Sequence, residues 1–394
     1  MAVPDLLQPD VSPRLRVAWF GHFQGRHGNG LAAYSRQTVA AMRDQGIEVL
    51  FVAHREGHDV EAPQEDVQLR AVRLKTVTVS LPGSLDRIAA ALTRFQPDIV
   101  HVSVSFSLLD GAVASLAQHR HIPAIATVHL PYGALNSARA RVLRGVYRFQ
   151  ARRLAHFDAI VALSEGQRAL LIESGLDAAR IVVIPNAVDT DRFSPGRSNL
   201  RASSNGQFVV VYMGRLDAEK RVRQLARSFL GQGWGADHLL LIAGGGTQRR
   251  QLQRLANDHR QIRLLGVIAD VDERVDLLRA ADVFVLPSTA EGLSLALLEA
   301  MSVGRAVIAT DAGEDGAVVG DAGIVIPVSP LEPALGDALR RLHDDTSLRG
   351  SLAEKARARA LDSYSLRNNI DRLEQLYLDL RAGAAAGEAS PPTA

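Results

Sequence analysis

Ala281–Thr310 reads ADVFVLPSTAEGLSLALLEAMSVGRAVIAT. Its opening, DVFVLPS (282–288), is a short run rich in branched apolar residues and closed near a proline, the pattern of a buried strand. Glu291-Gly292 then marks a loop, LSLALLEAMSVG (293–304) reads as a helix ended near Gly304, and AVIAT (306–310) is the next buried strand. Strand, loop, helix and strand in about 30 residues make a βαβ unit. Ligands of such units gather at the carboxyl ends of the strands. Two carboxylates stand out there: Glu291 in the loop and Glu299 inside an otherwise apolar helix. An unpaired buried carboxylate is costly, so Glu299 needs donors. The hydroxyls of a hexose or a ribose would supply them; a buried salt bridge would too, with Glu291 as a helix-dipole residue. From spacing alone the two readings stand level.

The same alternation extends in both directions. Upstream lie FVVVYMG (208–214), HLLLIAGGG (238–246) and IRLLG (262–266), separated by helices from about Lys220, over 247–259 and over 272–280; downstream lie GIVIPV (323–328) and helices 331–342 and 346–361. The N-terminal half repeats the scheme with strands at 15–21, 47–53, 68–74, 98–104, 123–129, 158–164 and 180–186. Alternating strands and helices predict α/β architecture, with mainly parallel sheets covered on both faces. The polar stretch PGRSNLRASSNGQ (195–207) suits a linker. The expected organisation is a disordered leader 1–14, an N-terminal domain 15–194, the linker, a C-terminal domain 208–365, a final helix 366–381 and a disordered tail 382–394.

Composition narrows the function. At 394 residues the chain calls for two domains. Its 47% hydrophobic and 22% charged residues are those of a soluble globular enzyme. No apolar run reaches the roughly 18 residues of a spanning helix, and MAVPDLLQPDVSPRLR has no signal-peptide core, so a cytoplasmic location is expected. The absence of cysteine rules out disulfides and thiolate metal sites. A net charge of +2 is too small to imply nucleic acid.

Three loops carry candidate chemistry. HFQGRHGNG follows the first strand, and the amides around Gly28 and Gly30 could receive a phosphate at the next helix N-terminus. GNGLAA also fits a dinucleotide fingerprint, although the usual tight turn and acidic residue are missing. In MGRLDAEKRV (213–222), Arg215 and Lys220 would place two fixed cations at a sheet mouth, suited to a diphosphate. Gly244-Gly245-Gly246 gives the second domain its own close-approach loop. His129, closing PAIATVH, is placed for a hydrogen bond to a ligand hydroxyl or for acid/base work. His101, inside an apolar run, reads as structural.

Taken in order, IVALSEGQRALLIESGL…RIVVIPNAVDTDRFSP, VVVYMGRLDAEK and ADVFVLPSTAEGLSLALLEAMSVGRAVIATDAG resemble the retaining glycosyltransferases of family four. Glu291 and Glu299 fit that family's Glu, seven residues, Glu pattern, and the resemblance spans Leu15 to about Leu380. It implies the GT-B fold: two Rossmann-like doubly wound domains facing a cleft, with the C-terminal helix crossing back to the N-terminal domain. It also implies roles. Gly28 and Gly30 would lie against the donor phosphate, His129 beside the transferred sugar, and Arg215 and Lys220 on the diphosphate. Glu291 would hold hexose hydroxyls, the backbone at Leu293, Ser294, Leu295 and Ala296 would approach sugar and phosphate, and Glu299 would hold the ribose. Gly244 would belong to the donor loop, and Val267 and Ile268 would face the base.

Departures from the family pattern are Ala187 in PNAVD, Leu293-Ser294 where an aromatic residue and a glycine are common, and Glu314 after Gly313. Asp189-Thr190-Asp191 and Asp270-Val271-Asp272 spell D-x-D, yet their places suit loop and helix capping better than a metal. The resemblance therefore implies a metal-independent, cofactor-free hexosyltransferase. It would move a hexose with retention from a UDP- or GDP-sugar to a sugar, lipid or small-molecule hydroxyl, as in envelope polysaccharide or glycolipid synthesis. A nicotinamide-dependent sugar-nucleotide oxidoreductase or epimerase, and a non-catalytic sugar-nucleotide-binding subunit, are the alternatives. The stretch NSARARVLRGVYRFQARRLAHF (136–157) interleaves arginines with apolar residues and suits peripheral contact with the inner membrane face as well as an ordinary solvated helix.

Overall fold

The structure is a computed structural model that describes residues 14–24, 30–55, 66–74, 77–104, 109–129, 138–202, 207–289 and 292–388. The first sheet's elements are β1 (Arg16–Gln24), α1 (Gly30–Asp44), β2 (Glu48–Arg55), β3 (Val67–Leu74), β4 (Val77–Ser80), α2 (Ser84–Phe95) and β5 (Ile99–Val104). They continue with α3 (Leu109–Gln118), β6 (Ala124–Val128), α4 (Ala138–Leu154), β7 (Ala159–Ala162), α5 (Glu165–Glu173) and β8 (Ile181–Val183). Strand order is β4-β3-β2-β1-β5-β6-β7-β8. Strands β1, β2, β3, β5 and β6 pair in parallel, while β4 runs antiparallel to β3.

After α6 (Asn199–Ala202), the second sheet brings β9 (Phe208–Met213), α7 (Val222–Leu230), β10 (His238–Ala243), α8 (Arg249–Asp258), β11 (Ile262–Gly266), α9 (Val271–Ala280) and β12 (Val283–Leu286). Then come α10 (Leu295–Ser302), β13 (Ala306–Thr310), α11 (Asp315–Val319), β14 (Ile324–Ile326), α12 (Leu331–Asp344), α13 (Thr346–Ser363) and α14 (Leu366–Glu388). Its strands run β11-β10-β9-β12-β13-β14, all in parallel. This is the doubly wound order, whose direction reverses between β9 and β12. Contacts divide the described chain into two compact units: residues up to Val128 with Arg153–Ile160 and those from Leu373, and His129–Arg152 with Val161–Arg372.

Strands β5, β6, β9, β12 and β13 are buried along their whole length, as continuous apolar runs in a two-face-covered sheet must be. Polar residues in such strands need partners. His101 in β5 finds two: Nε2 lies 2.7 Å from Thr127 Oγ1 and Nδ1 lies 2.6 Å from the Tyr377 hydroxyl. Burial holds this imidazole down to about 3, so it is neutral, as a structural histidine should be. Tyr377 belongs to α14, whose residues from Leu373 onward fall in the first unit.

Two sequence expectations shift. Helix α14 runs to Glu388, through the alanine-rich start of the segment expected to be disordered, because alanine is the strongest helix former. The polar 195–207 stretch contains α6 and is pinned to α9 and to the start of β12. Ser198 Oγ donates to Asp276 O (2.9 Å), the Asn199 amide to Asp276 Oδ1 (2.8 Å), and Arg201 pairs with Asp282 (2.7 Å).

Candidate active site

The reversal between β9 and β12 leaves a crevice beyond their carboxyl ends, where the loops diverge to opposite faces. Arg215 stands two residues past β9, with about half its side chain exposed (55%). Its Nη1 donates to Asp217 Oδ2 (2.6 Å) and its Nη2 to Glu219 Oε1 (2.9 Å). Those bonds hold the fork in place while using two of its five donors. Asp217 is itself anchored, because its Oδ1 accepts from the Thr247 amide and hydroxyl, both at 2.9 Å. The backbone bond from Thr247 leads the causes that hold this carboxyl below its usual range, followed by the Thr247 hydroxyl and Arg215. Lys220 ends a 3-10 turn, Ala218–Lys220, whose Glu219 carbonyl accepts from the Thr289 amide (2.8 Å) and hydroxyl (3.2 Å). The cation loop is thereby tied to the loop after β12.

Gly244 makes this loop packing possible. Its φ is +142°, and a Cβ there would fall 1.8 Å from Gly214 O. Its amide donates to Gly266 O (2.6 Å). The close approach at Gly244 is therefore to the β9 loop, which it lets lie against the β10 loop.

Helix α10 opens without a side-chain cap: Ser294 occupies the N-cap position, and its hydroxyl makes no capping bond. Instead, Asp315, buried at the start of α11, accepts from the Ser294 amide (3.1 Å). The first-turn N–H groups, from Leu295 onward, have no acceptor within the helix and carry its positive dipole end. This is the arrangement that receives anions. Glu299 lies one turn further in, buried, with Oε1 accepting from Arg274 Nη1 at 2.9 Å. Burial pushes its carboxyl up to about 7, with Arg274 opposing. The salt bridge weighed for Glu299 is thus present, and it leaves room for the ligand reading because only Oε1 takes part.

The remaining expected residues are placed as follows. Val267, 61% exposed, and Ile268 follow β11. Leu293 is buried, with its carbonyl accepting from Asn186 Nδ2 (3.0 Å). Ala296 is half-buried in the first turn of α10. His129 is the residue after β6 and is half-buried. Gly30 begins α1, whereas Gly28 and Glu291 lie outside the described residues. Both D-x-D sequences do cap: Asp189 Oδ1 accepts from the Asp191 and Arg192 amides, and Asp270 Oδ1 from that of Glu273.

The departures have local reasons. Ala187 keeps an ordinary backbone; among the described residues positive φ outside glycine occurs at Gln96, His121 and Arg221. Gly313 needs its freedom at φ +62°, while Glu314 at φ −97° does not. The Glu314 carboxylate accepts from Ser164 Oγ (2.8 Å), and Gly166 leaves the space it fills, since a Cβ there would lie 2.7 Å from Oε1. Arg274 and Asp315 escaped the sequence reading. Arg274 had one signal: it falls three residues after Val271 and four before Leu278, on the apolar stripe of α9.

Two doubly wound sheets, one with cations and an open helix N-terminus at its switch point, define a GT-B architecture. The family model described as Glycosyltransferase Family 4 matches residues 28–192, and that described as Glycosyl transferases group 1 matches residues 207–345. The chain belongs to this family and is a glycosyltransferase of GT-B type. It is 27% identical over 317 residues to the UDP-Gal:alpha-D-GlcNAc-diphosphoundecaprenol alpha-1,3-galactosyltransferase of Escherichia coli, covering 75% of this chain and 79% of that one. Sucrose-phosphate synthase from Thermosynechococcus elongatus superposes with a TM-score of 0.73 at 21% identity, over 94% of this chain and 100% of that one. Anabaena HepE in complex with UDP-glucose gives a TM-score of 0.72 at 16% identity, over 93% and 100%.

Proposed function

We propose that the protein transfers a hexose from a nucleotide diphosphate sugar, a UDP- or GDP-sugar, to an acceptor hydroxyl with retention and without a metal ion. The observation that carries this reading is the switch point itself. A braced guanidinium, Lys220 on the same loop, and the uncapped amides of α10 all belong to the mouth of one sheet. In this reading the bond between the sugar C1 and the phosphate oxygen breaks, and Arg215, Lys220 and the α10 amides stabilise the charge gathering on the departing diphosphate. The acceptor oxygen bonds to C1 on the same face, and its proton passes to a leaving phosphate oxygen. Glu291 positions hexose hydroxyls, His129 stands beside the sugar, and Gly28 and Gly30 lie against the phosphate. Glu299 holds the ribose diol. Sugar-nucleotide use is supported by the UDP-galactose enzyme and UDP-glucose complex among the relatives.

The test has two stages. Thermal shift with UDP-, GDP- and ADP-sugars identifies the donor, because a bound ligand raises apparent stability. Anomeric analysis of product made in the presence of a chelator then follows. Retained configuration with full turnover is expected; an inverted product, or turnover that returns only with a divalent ion, would overturn the reading.

A further inference from the structure

We propose that Arg274 is the positioning residue for the ribose end of the site: it fixes the Glu299 carboxylate through Oε1 so that Oε2 accepts from the ribose hydroxyls. This rests on the ribose role given to Glu299 above. Arg274 is held from two sides. Its guanidinium lies 5.6 Å from the centre of the Phe193 ring, within cation–π reach, and its Nη1 is 2.9 Å from Glu299. Phe193 cannot drift, since its amide donates to Asp189 O (2.9 Å) and its carbonyl accepts from Ser302 Oγ (2.6 Å) and Arg357 Nη1 (3.1 Å). The loop 189–193, through its buried Phe193, together with α9 and α10 is therefore one bracket around a single carboxylate. Among the described residues, Glu299 Oε2 has no hydrogen-bond partner. A ribose diol would supply the missing donors.

The bracket also sets the charge. Burial favours the neutral acid and Arg274 the carboxylate. Other charged groups on the elements packed against α10 are committed elsewhere or, like Glu273 on α9 and Glu354 and Asp362 on α13, exposed to solvent. Asp272 pairs with Arg192, Asp276 accepts from the amides of Asn199 and Leu200, and Arg279 donates to Ser194. Arg357 donates to the carbonyls of Thr190, Phe193 and Ser302, while Lys355 and Arg359 pair with Asp321. Asp270 caps α9, and strands β12 and β13 carry no charge. Removing Arg274 thus removes the one cation paired with Glu299 among the described residues.

The experiment measures, by calorimetry on the full chain from pH 6 to 9, the affinity ratio of UDP to 2′-deoxy-UDP, with the guanosine pair run alongside. The titration of the free phosphate cancels in that ratio. Wild type should favour the ribonucleotide by about tenfold at high pH, the scale of a charge-assisted hydrogen bond. The preference should fade as pH drops through about 7, where Glu299 protonates. Arg274→Met should move that midpoint upward, so the ratio at pH 7.5 approaches one and recovers only in more alkaline buffer; Arg274→Lys should restore the wild-type profile. Arg274→Gln is read in the same way if the methionine variant does not fold. Glu299→Gln should lower the ratio and remove its pH dependence. An Arg274→Met profile that overlays wild type would overturn the proposal, and so would a ratio lost at every pH that lysine fails to restore. Wild type that binds neither nucleotide pair, or a ribose preference untouched by Glu299→Gln, would instead overturn the function reading.

Discussion

The two sheets share a winding rule and differ in what they place where it reverses. In the first sheet, the strands flanking the reversal, β1 and β5, pack Trp19 against His101 with ring centres 4.1 Å apart, and His101 is closed off by Thr127 and Tyr377. In the second, the strands β9 and β12 are equally apolar, but the loop leaving β9 carries Arg215, Asp217, Glu219 and Lys220, backed by Arg274 and Glu299. Topology supplies a crevice in both cases; in the proposed reading, polar residues fit the second for an anionic ligand. Both ring nitrogens of His101 are satisfied internally and have nothing left to offer, whereas Arg215 and Glu299 are each braced with donor or acceptor capacity to spare.

The sharpest way to break that contrast is to remove its centre. Arg215→Ala should slow release of nucleoside diphosphate from the donor by about 10²–10³-fold, the scale seen when a charge-stabilising donor is lost. Its melting temperature should hardly move, since half-exposed ion pairs contribute little to stability. Turnover within a few-fold of wild type would mean that the cations after β9 are ordinary surface charges.

A smaller effect should come from the first sheet, and on a different measurement. His101→Ala removes a buried partner from both the Tyr377 hydroxyl and Thr127, so urea unfolding should show a loss of about 1–3 kcal/mol with nucleotide affinity unchanged. The pH dependences oppose each other. His101 has a folded-state value lowered from 6.5 to about 3, so its contribution to stability is present above 6.5 and is lost as pH falls towards 3. Glu299 has a folded-state value raised from 4.5 to about 7, so its cost to stability grows as pH rises across that window. Removing His101 should flatten the acid limb of the stability profile, and Glu299→Gln the limb between 4.5 and 7. Identical profiles for both variants would erase the distinction between a sealed group and a braced one.

What the sequence disclosed follows the range of each interaction. Strand β13 occupies the expected residues because a local apolar run and its flanking turn signals decide it. Helix α10 begins two residues late, at Leu295, since Leu293 is recruited into the core and Ser294 becomes the N-cap. Short α6 and α11 have too few residues to show a period. At the site, Arg215 and Lys220 were legible from their place after an apolar run. The bracing was not: Arg274 reaches Glu299 across 25 positions and Thr247 reaches Asp217 across 30, pairings with no local pattern. Gly244 shows the converse. Its glycine loop was visible, but its close neighbour, Gly214 O, is a backbone atom of another loop.

The weakest expected effect belongs to α4, where charges sit in water rather than in a frame. Tyr147 and Leu154 bury one side of this helix, while Arg148 and Arg152 are exposed on either side of Phe149, itself 60% exposed; Arg144 is taken by Glu173 at 3.3 Å. Among the described residues no helix is long and apolar enough to cross a membrane, so any lipid contact made here would be peripheral. Exposed arginines attract an anionic surface by about 1 kcal/mol each and only within a Debye length. Pelleting with phosphatidylserine-containing vesicles should therefore show binding at low salt that fades at high salt, weakened roughly thirtyfold by Arg148→Ala with Arg152→Ala, two such charges together. Donor affinity should not change, because the braced charges of the second sheet do not depend on α4. If no salt-sensitive pelleting is seen, the helix is an ordinary solvated face.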